Sequence, residues 1–347
     1  MAVPSPGNPG YSGVPDALGT GARGARVVAL GGGHGLSATL SAVRHLTSAI
    51  TAIVTVADDG GSSGRLRSEL GVLPPGDLRM ALSALCDDGE WGQTWRDVLQ
   101  HRLHSEGPLD NHSVGNILIV ALWRILGDEV QGLEWVASLL GVRGRVVPMS
   151  AVPLDIEADV VVPGTGEVRV VRGQSRVAKV DGRVRSVRLL PADPPARPEG
   201  VAAVREADWV ILGPGSWYTS VVPHLLVPEL VDALCTTTAH RALILNLSND
   251  DSESEGMTVS DHLRSLHDHA PDLRLDVVVA DPLAVDDLDE LERAAAAIGA
   301  RTLLRQVRAT GEVAVHDPLR LAAALRDAME RIEGDVDATG RADAAGM

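Results

Sequence analysis

Two stretches of this chain combine glycine, carboxylate and guanidinium in a way that suits phosphate chemistry. The first is Gly31-Gly32-Gly33-His34-Gly35. Glycines let a backbone turn tightly and bring its N–H groups, with the N-terminus of a following helix, against an anion. A plain strand-to-helix turn needs fewer than four glycines in five residues, so the run points to phosphate or diphosphate contact. It does not meet the dinucleotide fingerprint G-x-G-x-x-G, because Leu36 occupies the last position. The second stretch is Asp58-Asp59-Gly60-Gly61-Ser62-Ser63-Gly64-Arg65-Leu66-Arg67. Its paired carboxylates have two candidate roles. They hold ribose hydroxyls, as an acid after a second strand does in dinucleotide folds, or they bind Mg²⁺, which keeps most of its waters and bridges phosphates. The glycines, Ser62, Ser63 and Arg65 add N–H groups, hydroxyls and a guanidinium fork. A solvated polar loop with Asp58 as a helix cap is the plainer alternative.

Three further segments supply candidates. Pro74-Pro75-Gly76-Asp77-Leu78-Arg79 is a rigid turn into a helix, with Asp77 as its N-cap. Arg79 in the first turn is poorly placed for the helix dipole, which suggests a ligand or an ion-pair partner. His112-Ser113-Val114-Gly115-Asn116 opens another helix; His112 is either an acid or base or a cap, and Asn116 is an amide in an apolar helix that needs partners. Gly213-Pro214-Gly215-Ser216-Trp217-Tyr218-Thr219-Ser220 again combines glycines and hydroxyls, with Tyr218 either a platform for a base or a core residue. The His101/His104 and His262/His267/His269 groups lack an organised carboxylate or cysteine set and read as solvated surface rather than metal sites.

The elements that must position these residues alternate. Val27 to Leu30 reads as a strand, Leu36 to Leu46 as a helix and Ile50 to Val56 as a β-branched strand, the opening of a parallel βαβ unit. After a polar loop, helices are expected over Asp77–Leu85, Trp91–Leu103, Ser113–Leu126 and Leu133–Leu140. Residues 145–190 change to short Val-rich runs with turn signals at Pro163-Gly164-Thr165-Gly166 and Asp181-Gly182, a small β-hairpin insertion. Strands at Trp209–Leu212, Ala242–Leu247, Leu275–Val279 and Leu303–Val307 then alternate with helices, and a helix over Pro318–Ile332 closes the pattern. The fold class is α/β, a Rossmann-like, doubly wound, mostly parallel sheet. The expected organisation is a flexible leader over 1–24, one α/β domain over 25–333 and a disordered tail over 334–347.

Composition narrows the chemistry. Lys179 is the one lysine among 31 basic residues, which excludes a phosphate-loop NTPase of the usual kind. A net charge of −16 argues against broad nucleic-acid binding, which needs a basic face. Two cysteines, Cys86 and Cys235, make neither a disulfide framework nor a zinc site, as expected of a cytoplasmic protein. No apolar run reaches the roughly 18 residues of a membrane span. A homodimer is the default expectation for assembly.

Taken in order, the runs Asp58-Asp59-Gly-Gly-Ser-Ser-Gly-Arg65, Pro74-Pro75-Gly76-Asp77-Leu-Arg79, His112-Ser-Val-Gly-Asn116 and Gly213-Pro-Gly-Ser216-Trp-Tyr218-Thr219 resemble the bacterial gluconeogenesis-factor family (YvcK-like proteins). These are relatives of 2-phospho-L-lactate transferase, CofD. The resemblance runs from about Arg26 to His316. It implies a cytoplasmic protein that binds a nucleotide-diphosphate sugar, a UDP-sugar first, and supports cell shape and wall synthesis during gluconeogenic growth. It places Gly31, Gly32, Gly33, His34, Gly35, Gly60, Gly61, Ser62, Ser63, Arg65, Asp77, Arg79, Asn116, Gly213, Gly215, Ser216, Tyr218, Thr219 and Asn246 at the ligand cleft. The enzyme alternative is a CofD-type phosphotransferase moving phospholactate from a guanosine-diphospho donor to a deazaflavin alcohol. In it Asp58, Asp59 and His112 are catalytic, and Asp58 and Asp59 hold Mg²⁺. An NAD-dependent oxidoreductase is a third, weaker reading, disfavoured by the broken fingerprint. The sequence departs from the family pattern at His34, at Met80 and at Asp250-Asp251-Ser252-Glu253, where the loop gains acidity.

Overall fold

A computed structural model describes residues 24–248, 252–311 and 315–330. The expected leader and tail, and Asp250 and Asp251 of the acidic loop, lie outside these residues or, for the leader, all but Gly24. The chain opens as strand β1 (Val27–Gly31), helix α1 (Gly33–Val43) and strand β2 (Ile50–Val54). Four helices follow in the first half: α2 (Gly61–Leu70), α3 (Gly76–Ala84), α4 (Glu90–Gln100) and α5 (Val114–Leu126). Helix α6 (Glu129–Leu139) leads into β3 (Arg145–Pro148). Strands β4 (Asp155–Val161) and β5 (Val168–Arg172), the short helix α7 (Gln174–Val177) and strand β6 (Arg183–Leu190) come next. The second half runs α8 (Pro198–Glu206), β7 (Trp209–Leu212), α9 (Pro228–Thr236), β8 (His240–Ile244), α10 (Val259–His269), β9 (Val277–Ala280), α11 (Leu288–Ala297) and β10 (Arg301–Leu304). Residues 318–330 form the closing helix.

The main sheet has seven strands in the order β10-β9-β8-β7-β1-β2-β3, and every pairing is parallel. This is the doubly wound order with one added strand, and the direction of winding reverses at β1. Gly31 pairs level with Val54, and Leu30 with Leu212, so the loops after β1, β2 and β7 leave the sheet along one edge. Val, Ile, Leu and Ala of the central strands are buried on both faces, as a parallel sheet covered by helices requires.

Two expectations change. Arg145–Pro148 belongs to the main sheet beside β2 rather than to the insertion, whose antiparallel sheet is β5-β4-β6. The Gly-Ser run after Asp59 is not a loop but helix α2. Its glycines and serines are weak helix formers, but Gly71 closes it with φ 67° and Leu66 is buried beneath it. Tertiary packing overrides propensity here.

Candidate functional site

The cleft is built on helix N-termini. Helices α1, α2, α3 and α5 all begin without a bond from the side chain of their N-cap residue. The first N–H of α3, on Gly76, goes instead to Ser63, that of α1, on Gly33, to Asp77, and that of α5, on Val114, to the His101 carbonyl. Gly33 is the first residue of α1 and has φ 55°, a conformation that favours glycine. A Cβ on Gly32 would lie 2.6 Å from Asp77 Oδ2, and one on Gly35 would lie 2.2 Å from the Pro214 carbonyl oxygen. The first glycine run therefore does two jobs. Gly32 and Gly33 admit Asp77 to the start of α1, and Gly35 lets α1 pack on the loop after β7. His34 is exposed.

The two adjacent carboxylates point different ways. Asp58 accepts the Gly60 N–H at 2.9 Å and a hydrogen bond from Ser63, whose hydroxyl also accepts the Gly76 N–H at 2.8 Å. Burial raises the Asp58 pKa above the usual carboxylate value, with the Asp59 charge adding to it. Asp59 instead accepts the Ser175 N–H at 2.8 Å, and a Cβ on Gly173 would lie 2.4 Å from its Oδ2. It clips the β insertion to the start of α2. The expected Asp58/Asp59 metal pair is thus divided. Among the described residues no three His, Cys, Asp or Glu side chains gather as a metal group. A divalent cation bridging ligand phosphates would find Asp58 as the carboxylate facing the cleft, so the fit to Mg²⁺ rests on one protein ligand plus phosphate and water.

Asp77 is not the cap of α3; that position is Pro75, and Asp77 lies in the first turn. It keeps part of its surface open to the cleft, yet desolvation first, and the Asp58 charge second, raise its pKa to about 7, against the pull of the Gly33 N–H and Arg79. Arg79 is 5% exposed. Its Nε donates to Asn116 Oδ1 at 2.9 Å and its Nη1 to Gln100 Oε1. Burial, with Arg102 nearby, lowers its pKa to about 10. Asn116 Nδ2 donates to Ser62 Oγ at 3.1 Å, and His112 Nδ1 lies 3.0 Å from that oxygen. Ser113, not His112, is the N-cap residue of α5.

The loop after β7 is locked. Asn246 accepts the Gly215 N–H and donates to the Gly215 carbonyl, both at 2.9 Å, and Thr39 donates to the Gly213 carbonyl at 2.7 Å. Gly213 and Gly215 have φ 68° and 144°. Ser216 is half-buried. Trp217 and Tyr218 both belong to the core: Trp217 Nε1 donates to Ser265, the Tyr218 hydroxyl lies near the same side chain, and the rings are 2% and 3% exposed. Tyr218 is therefore not a platform for a base. Thr219 is buried as well, and Glu253 turns inward to accept the Tyr218 N–H at 2.9 Å. His262, expected at the surface, is buried 4.7 Å from the Trp217 ring, and burial lowers its pKa to about 4. Arg65 donates to the carbonyls of Pro108 and Asp110, at 3.1 and 2.6 Å, and so braces the loop before His112. Sequence reasoning missed Gln100 and Thr39, and it singled out Glu253 only as part of an acidic loop, not as a buried partner of the Tyr218 N–H. Each acts through a long-range contact that local sequence pattern does not reveal.

Glycine turns and open helix N-termini at the winding reversal of a doubly wound sheet define a Rossmann-like α/β protein with an anion-accepting edge. Residues 27–315 match the family described as "2-phospho-L-lactate transferase CofD", and the chain belongs to that CofD family. Among curated proteins it is similar to the "Putative gluconeogenesis factor" of Mycobacterium leprae, 51% identical over 86% of this chain and 84% of that protein. The "Gluconeogenesis factor" of Bacillus subtilis is 35% identical over 85% of this chain and 90% of that protein. A crystal structure of a Bacillus halodurans protein superposes with a TM-score of 0.77 at 34% identity, covering 87% of this chain and 99% of that one. The relatives' names place this chain with the gluconeogenesis factors, the YvcK-like branch. No helix among the described residues is long and apolar enough to cross a membrane.

Proposed function

We propose that this protein is a cytoplasmic gluconeogenesis factor that acts by binding a nucleotide-diphosphate sugar, a UDP-sugar first, and that supports cell shape and wall synthesis when carbon comes from gluconeogenic sources. One observation carries the binding reading: four helices, α1, α2, α3 and α5, begin without side-chain caps around Asp58, Asp77 and the buried Arg79. Helix N-termini of this kind favour an anion. The sugar and ribose hydroxyls fall to the carboxylates, Asp58 first. The base would rest on another apolar surface of the cleft, since Tyr218 is enclosed.

A second reading is the CofD-type phosphotransferase, favoured by the family description and by Asp58 and Asp77, which face one another's field within the cleft. There Mg²⁺ would supply charge neutralisation on a donor diphosphate, Asp58 would hold it, and Arg79 would stand behind the phosphates as a fixed positive charge. The experiment is a thermal-shift and calorimetry screen of UDP-, GDP- and ADP-linked sugars, with and without Mg²⁺. A ligand at 100 times its dissociation constant raises stability by about 2.7 kcal/mol. Tight UDP-sugar binding without turnover supports the first reading. Mg²⁺-dependent phosphodiester formation from a guanosine-diphospho donor and a deazaflavin alcohol supports the second, and binding of none of these compounds overturns both.

A further inference from the structure

The polar residues behind the cleft form one chain, buried from Arg79 to His112 and exposed at its Gln100 end, and the direction of its hydrogen bonds follows from chemistry. Arg79 has donors and no acceptor, so its Nε–H donates to Asn116 Oδ1 and its Nη1 to Oε1 of Gln100, the last residue of α4. With Oδ1 turned to Arg79, the Asn116 NH₂ faces Ser62 and donates to Oγ at 3.1 Å. The Ser113 backbone N–H donates to the same oxygen at 3.3 Å. Both lone pairs of Ser62 Oγ are then filled. Its own proton goes to His112 Nδ1, 3.0 Å away. Nδ1 must therefore carry a lone pair, and the imidazole proton sits on Nε2. Turning the Asn116 amide over would reverse the chain but set its NH₂ against the Arg79 N–H. Two donors would then face each other at a buried site, a loss no solvent repairs. Ser62, Arg79, Asn116 and His112 are all 7% exposed or less.

We propose that His112 is a fixed hydrogen-bond donor that presents Nε2–H to a phosphate oxygen of the ligand, with Arg79 setting the direction of the chain and Gln100 positioning Arg79. The ligand part rests on the anion-binding reading above; the tautomer does not. A histidine held this way cannot serve as a base through Nδ1, which is engaged, nor through Nε2, which already carries its proton. Burial, and the Arg65 charge second, also push the imidazole pKa down, in the same sense as the geometry.

The test begins with long-range ¹H–¹⁵N spectra of protein labelled in histidine, the His112 signals being identified by their loss in His112→Gln. The expected result is the Nε2–H tautomer; an Nδ1–H tautomer, or a mixture, overturns the chain. Gln100→Glu still accepts from Arg79 and should keep the tautomer, whereas Gln100→Leu should turn it into a mixture. An unchanged spectrum in Gln100→Leu removes Gln100 from the proposal. Calorimetric titration with inorganic pyrophosphate and with UDP-glucose then reads the donor role. His112→Gln, which offers an amide N–H near the place of Nε2, should hold affinity within about threefold, and His112→Leu should lose about tenfold. Equal loss in both overturns the donor role. If the parent protein binds neither probe, the ligand role fails together with the anion-binding reading, and the spectra alone decide the chain.

Discussion

The loops after β2 and after β7 have similar compositions and opposite physical characters. Both are rich in glycine and serine and both leave the same edge of the sheet. The loop after β7 is finished: Asn246 closes on both sides of Gly215, Thr39 holds Gly213, and Trp217 and Tyr218 disappear into the core. The segment after β2 is unfinished. It offers an uncapped helix start, and two of its carboxylate neighbours are held at raised pKa, Asp58 by burial with the Asp59 charge and Asp77 by burial with the Asp58 charge. One loop is a wall and the other is a receptor. Glycine content alone does not distinguish them; what differs is whether the backbone groups already have partners.

The largest effect is expected where the wall meets α1. Gly35→Val places a Cβ 2.2 Å from the Pro214 carbonyl oxygen, and a backbone atom cannot step aside as a side-chain tip does. The variant should lose about 4 kcal/mol or more in denaturant unfolding, or fail to accumulate as folded protein. Gly33→Val, two residues away, meets only Asp77 Oδ1 at 4.0 Å and pays for φ 55° alone, about 1–2 kcal/mol. It should fold and lose ligand. Equal stability losses in the two variants would erase the distinction between wall and receptor within a single glycine run.

Asn246→Ala is next. It removes the acceptor of the Gly215 N–H and the donor to the Gly215 carbonyl together. The expected loss is about 1–3 kcal/mol, because half-buried backbone groups are left without partners. Chemical denaturation of the ligand-free protein measures it. A neutral result would mean that the loop after β7 holds its shape without this clamp.

How much of this was legible in the sequence depends on the range of the interaction. The βαβ opening, the antiparallel β5-β4-β6 sheet of the insertion and the closing helix over 318–330 follow from local periodicity and turn residues, and the structure contains them. The family motifs likewise lie on the cleft edge, since Asp58, Ser62, Asp77, Arg79, His112 and Asn116 converge there. The orientation of side chains was not legible. Asp58 and Asp59 are adjacent in sequence, yet one faces the cleft and the other a backbone N–H 116 residues away. Tyr218 beside Trp217 gives no local sign that Ser265 on α10 and Glu253 will enclose it. Helix α2 has the sequence of a loop because the residues that make its start useful to an anion are poor helix formers.

Asp77 gives the receptor side a pH signature. Its pKa rises from 3.8 to about 7 on folding, so the folded state holds this proton more tightly than the unfolded chain. Its contribution to stability is complete below pH about 4 and is lost as pH rises through about 7. Asp77→Asn removes the titration and the repulsion from Asp58. The variant should be more stable than the parent at pH 8 by about 1–2 kcal/mol, less than the full shift implies because the carboxyl keeps part of its surface open to water. At pH 4 the two should unfold alike. Parallel stability curves between pH 4 and 8 would show that Asp77 is an ordinary ionised carboxylate.

Arg65 should show the smallest effect on the fold and sharpens the comparison from the other direction. Its sequence context suggests a guanidinium aimed at a diphosphate, but in the structure it donates to the Pro108 and Asp110 carbonyls from an exposed position. Hydrogen bonds at such a site exchange readily with water, so Arg65→Ala should change the stability of the ligand-free protein by about 0.5 kcal/mol or less. Two outcomes for binding then separate cleanly. If Arg65 leaves those carbonyls to meet the phosphates, the substitution removes a charge-assisted contact, and affinity for UDP-glucose falls by roughly tenfold to a hundredfold. If Arg65 only braces the loop that carries His112, affinity falls by a few-fold. Arg65→Lys then divides the cases again. Lysine keeps the charge but cannot reach two carbonyls with one rigid fork, so it should restore binding in the first case and not in the second. Calorimetry of the three proteins at low and at 0.5 M salt decides. A direct phosphate contact weakens with salt in the parent and loses that dependence in Arg65→Ala, whereas a brace leaves the salt dependence of all three the same.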